Sequence, residues 1–73
     1  MQDEICKKFA IKLKEIRKAK NISQGDLSLE ADCAKSYIGM LENGKRVPTL
    51  TTIGKLAKAL KVHVKDFFDF EYE

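Results

Sequence analysis

The side chains able to do chemistry gather in one stretch, and the chemistry they suit is hydrogen bonding to anions and bases. Between residues 35 and 46 stand Lys35, Ser36, Tyr37, Asn43, Lys45 and Arg46. Ammonium, guanidinium, amide and hydroxyl groups are donors of the kind that phosphates and base edges accept. Nothing comparable supports bond breaking. The sequence has no catalytic triad and no phosphate-cradling glycine loop, so no enzyme activity and no small-molecule substrate are expected. His63 is the only histidine and has no second ligand near it, so no metal or other cofactor is expected. Cys6 and Cys33 lie far apart without CxxC spacing, which fits small core hydrophobes in a reducing cytoplasm.

Two short helical patterns must position these donors. Ser23 is a cap whose hydroxyl can accept from the Asp26 amide, while the Asp26 carboxylate reaches back in a capping box. Leu27 and Ala31 then share a face. Asp32, Cys33 and Ala34 make the break, and Asp tolerates the left-handed conformation a sharp turn needs. Ala34, Ile38 and Leu41 form the next apolar face, with Lys35, Ser36, Gly39, Met40 and Asn43 on another. Asn43 and Gly44, both tolerant of positive φ, stop the second helix. On spacing alone, a helix-turn-helix and two packed helices with a solvated face fit equally well. In the first case, the small and polar side chains of the second helix suit a major groove.

The string SQGDLSLEADCAKSYIGMLENGKRVPTL resembles the phage Cro/repressor-like (XRE) family. The family pattern is roughly S-Q-x-x-L-A, a turn, then S-x-x-x-I-x-x-x-E-x-G-x-R-x-P. LKEIRKAKNIS is similar to the end of the family's first helix, and IGKLAKALKVHVKDFF to its last two. The match spans about residues 9 to 68. It implies an all-α, five-helix repressor-like domain, with a recognition helix over about 35–42 that reads a double-stranded DNA operator. It also implies an Arg17–Glu42 ion pair tying the first helix to the end of the third, and a Gln24 that lies against the DNA backbone, donating to a phosphate while accepting from Lys35.

At the recognition helix, Lys35 can donate to guanine O6 and N7 or to a phosphate, and Ser36 to several bases. Ala34 and Met40 can touch a thymine methyl. Tyr37 can pack its ring on the core rim and direct its hydroxyl to a phosphate. Gly39 fits either a close approach to DNA or simple tolerance. So few long polar side chains make direct readout thin, leaving part of the specificity to DNA shape. The loop Asn43, Gly44, Lys45, Arg46 suits a phosphate clamp, for which the family uses side chains and backbone amides. Departures from the family pattern are Ser28 for Ala, Leu29 at a normally polar position, Asp32 for the turn Gly, and Ala34 for a capping Ser or Thr. Leu29 motivates the alternative of a protein-interaction or antitoxin-type module on the same fold.

Length and charge agree with a small binding domain. Seventy-three residues make one domain, 44% apolar, and no apolar run approaches a membrane span. The charged N-terminus has no apolar signal region. Residues 1–65 carry all 14 basic side chains and a net charge of +7, while residues 66–73 carry −4. The basic body suits a polyanion and the acidic tail should lie away from it.

Around the central unit, Ile5, Phe9, Leu13 and Ile16 predict an amphipathic helix from about Asp3 to Lys18, with Asp3 and Glu4 in its first turn and Asn21 ending it. Lys7, Lys8, Lys12 and Lys14 cover its outer faces, by default solvated. Thr49 is a plausible cap for a fourth helix with Leu50, Ile53, Leu56, Ala57 and Leu60 in the core and Lys55, Lys58 and Lys61 outside. Val64 and Phe67 return a short fifth helix to the core. The end is rich in rings, and Phe68, Phe70 and Tyr72 are candidates for a homodimer interface. They can instead fold back over their own core, or alternate as a short strand. A dimer would set two recognition helices about 34 Å apart, on successive major grooves.

Overall fold

The computed structural model describes residues 4–72, so the expected roles of Asp3 and Glu73 lie outside the described residues. Four α-helices follow in order: α1 (Glu4–Ala19), α2 (Gln24–Glu30), α3 (Lys35–Glu42) and α4 (Leu50–Leu60). The fifth element, Val64–Phe68, is a 3-10 helix and not an α-helix. No strand occurs among the described residues, so the alternating terminal rings do not form one.

All four α-helices end in the same way. A residue in the left-handed region follows each of them: Asn21 (φ 57°), Asp32 (φ 56°), Gly44 (φ 72°) and Lys61 (φ 59°). The next amide then reaches back five residues. Ile22 N donates to Arg17 O at 3.2 Å, Cys33 N to Ser28 O at 2.9 Å, Lys45 N to Met40 O at 2.9 Å and Val62 N to Ala57 O at 3.0 Å. These bonds satisfy carbonyls that a helix end leaves orphaned. Asn and Asp tolerate this backbone, and Gly is at ease in it. Lys61 has neither advantage, so nothing in its residue type announces the turn. Asn43 itself stays at φ −92°, and only Gly44 takes the positive φ expected of both.

The helix starts are less uniform. The Ser23 hydroxyl accepts from Asp26 N at 2.9 Å, which is the first half of the expected capping box. Thr49 Oγ1 accepts from Thr52 N at 3.1 Å. Ala34 begins α3 in extended conformation with no side-chain cap, so α3 depends on packing to stay helical. Ser28, buried where a smaller Ala is usual, satisfies its hydroxyl by donating to Gly25 O at 2.6 Å.

Leu13, Leu27, Ile38, Leu41, Leu56, Leu60 and Phe67 are fully buried and make one core shared by every element. Phe67 meets Phe9 of α1 edge-on, with ring centroids 5.4 Å apart, and so clamps the 3-10 helix to α1. Two expected core residues are outside it. Leu50 is 87% exposed because it opens α4 at the edge of its apolar arc. Val64 opens the 3-10 helix and is also exposed, leaving Phe67, with Phe68 packed beside it, to anchor that segment.

Candidate nucleic-acid interface

The outward side of α3 is presented by a charged knot beneath it. Arg17 and Glu42 are each only 7% exposed. Arg17 Nε donates to Glu42 Oε2 at 2.6 Å and Nη2 donates to Oε1 at 3.1 Å, a two-pronged fork that matches the carboxylate plane. Arg17 Nη1 donates to the Ile22 carbonyl at 2.7 Å, so the linker before α2 is tied in as well. Gln24 adds a third strand: its Nε2 donates to Glu42 Oε1 at 3.0 Å. One carboxylate thereby joins α1, α2 and α3.

This geometry gives Gln24 a contact that the sequence does not announce. Its amide nitrogen turns inward to Glu42, and no bond joins it to Lys35. The amide lies against Gly39, where a Cβ would sit 3.9 Å from Gln24 Oε1 and 4.0 Å from Nε2. That is ordinary contact, so an Ala would fit and Gly39 is not required by this neighbour.

Ala34, Lys35, Ser36 and Asn43 are exposed, while Tyr37, Gly39 and Met40 are half-buried. Lys35 runs past the first turn of α2, where a Cβ on Gly25 would touch its Cδ at 3.9 Å. The Arg46 guanidinium stands over the Tyr37 ring, 5.4 Å from its centroid, and the same ring packs against the core rim. Tyr37 thus holds Arg46 beside α3, a contact that sequence spacing does not reveal.

The loop after α3 differs from expectation in its donors. The amides of Asn43, Gly44 and Lys45 donate to Gly39 O, Leu41 O and Met40 O, closing the helix. The side chains of Asn43, Lys45 and Arg46 are exposed. Among the described residues no cluster of three or more metal-ligating side chains occurs. Burial pushes the Cys33 thiol above its ordinary pKa, partly offset by Lys55, which is the behaviour of a packing residue and not of an activated thiolate. Among the described residues no helix is long and apolar enough to cross a membrane.

The rings of the tail divide. Phe68 stacks on Phe9 with centroids 5.7 Å apart, and Phe70 lies 6.1 Å from Phe68 with the Lys8 ammonium 5.8 Å above it. Tyr72 remains exposed. The end of the chain therefore covers part of its own core.

A bundle with two short helices in tight succession, the second exposed at its start and bound at its end to the first, defines a helix-turn-helix protein. The chain belongs to the helix-turn-helix family HTH_3, which matches residues 13–67. It is 41% identical over 71 residues to the control protein C.BamHI of Bacillus amyloliquefaciens, covering 96% of this chain and 88% of that one. The crystal structure of the restriction-modification controller protein C.AhdI from Aeromonas hydrophila superposes with a TM-score of 0.85 at 38% identity, covering 86% of this chain and 96% of the other. The tetramer of the controller protein C.Esp1396I in complex with its natural 35-base-pair operator gives a TM-score of 0.86 at 26% identity, covering 93% and 90%.

Proposed function

We propose that this protein is a sequence-specific transcriptional regulator of the restriction-modification controller type that binds a double-stranded DNA operator, in the cytoplasm and without enzymatic activity. The observation that carries this reading is the exposed start of α3, Ala34 to Ser36, held in fixed orientation by the Glu42 knot at its other end. Lys35 and Ser36 read base edges, and Ala34 and Met40 meet thymine methyls. Asn43, Lys45, Arg46 and the Tyr37 hydroxyl set register on phosphates. The outer edge of the Gln24 amide borders the same surface and can add a donor. The chain acts as one domain over residues 1–73, with the acidic segment 66–73 turned away from DNA.

Duplex binding measured against salt tests the reading. About six phosphate contacts predict a log–log slope near −5. A binding constant insensitive to salt would instead favour a protein-interaction module, for which Leu29, 81% exposed on α2, is the motive.

Two-fold pairing brings a second recognition helix to the next major groove, and the outer faces of Phe68, Phe70 and Tyr72 are the proposed contact. A Phe70→Ala, Tyr72→Ala variant should sediment as a monomer at concentrations where the parent is a dimer. An unchanged sedimentation coefficient rejects this surface.

A further inference from the structure

We propose that one flank of α1, carrying Lys7 and Lys14, is a second phosphate-binding surface that extends the protein's footprint on DNA beyond α3 and its loop. The inference rests on the DNA-binding reading and adds residues that this reading does not use.

Four of the five lysines of α1 fall into two groups; the fifth, Lys18, is exposed in its last turn. Lys8 and Lys12 occupy one flank and are engaged: Lys8 over the Phe70 ring, and Lys12 with Glu15 at 3.4 Å. Lys7 and Lys14 are exposed on the opposite flank and form no ion pair among the described residues. That flank is the one adjoining Ala10 and Arg17, through which α1 meets the end of α3. Ala10 is small enough to leave an open groove of about 300 Å³, with Lys7 and Ile11 on one wall and Asn43 and Gly44 on the other. Lys7 thus shares a groove with the exposed Asn43 side chain, next to Lys45 and Arg46. The carboxylate at the floor, Glu42, is neutralised by Arg17, so it does not offset the lysines. Lys7 and Lys14 are two turns apart, about 10 Å along the axis, a span of about three nucleotides at 3.4 Å per step of one strand.

Electrostatic contact of this kind carries no sequence information. Lys7→Gln and Lys14→Gln should each flatten the salt slope by about 0.9, and should weaken binding equally on a duplex selected from a random pool and on a mixed-sequence duplex. Lys12→Gln, on the engaged flank, should leave the slope unchanged. Ile11→Lys, at a site 59% exposed on the proposed surface, should steepen it. Unchanged slopes in the Lys7 and Lys14 variants, changes no larger than in Lys12→Gln, or losses confined to the selected duplex would overturn the proposal. A flat slope in the unaltered protein would overturn the DNA-binding reading itself, and so the two failures are distinguishable.

Discussion

Glu42→Ala is expected to lower the melting temperature by more than about 12 °C. The substitution leaves the Arg17 guanidinium buried without its counter-charge and leaves Gln24 without its acceptor. Removing one partner of a buried pair costs about 3–5 kcal/mol, against the 5–15 kcal/mol that holds a typical domain together. In a domain of this size each 1 kcal/mol moves the midpoint by about 4–8 °C. The penalty comes mainly from the stranded charge, not from a large net gain of the pair. Arg17→Met combined with Glu42→Leu should therefore recover much of the loss, since apolar replacement of both partners is often tolerated. Thermal unfolding followed by circular dichroism measures both variants, and a Glu42→Ala midpoint within about 4 °C of the parent would reject this account.

Lys35→Ala should weaken binding to a selected operator duplex by about 10- to 100-fold, which is the scale of about 1–3 kcal/mol for one good base contact. On a mixed-sequence duplex the loss should be smaller and should appear as a slope flatter by about 1. The difference between the two duplexes separates base reading from phosphate contact. Lys35 is the only long cationic side chain on α3, so no neighbour on that helix can substitute for it. Equal losses on both duplexes in a titration series would reassign Lys35 to the backbone. The substitution should leave the melting curve close to the parent's, because the side chain is exposed and forms no ion pair among the described residues.

How much of this was legible without coordinates depended on range. The two short helices, the left-handed turn at Asp32 and the stop at Gly44 follow from residue type and spacing, which act over a few positions. Arg17 and Glu42 are 25 residues apart, and their pairing was reachable only through the family pattern. The inward bond of Gln24 is not legible in the sequence because its amide has two directions to turn, and only the packed position of Glu42 makes the inward one favourable. Loop amides were misread for a related reason: whether they face a ligand or close a helix depends on a backbone turn that glycine permits but does not dictate. Leu50 and Val64 sit at helix starts, where periodicity continues past the point at which neighbouring elements still cover the surface. Lys61 shows a turn imposed by tertiary packing on a residue that does not favour it.

The Glu42 knot has a consequence for motion. Eight residues with no side-chain cap would fray readily as an isolated segment. Here the last of the eight is bound to two other helices, and Ile38 and Leu41 are fully buried. Local opening of the second half of α3 would have to break all of these together, so the hydrogen-bonded amides there should exchange with solvent hydrogen only when the entire domain opens, while the uncapped first-turn amides exchange freely. The recognition surface is thus as durable as the fold itself, and meets its target already shaped.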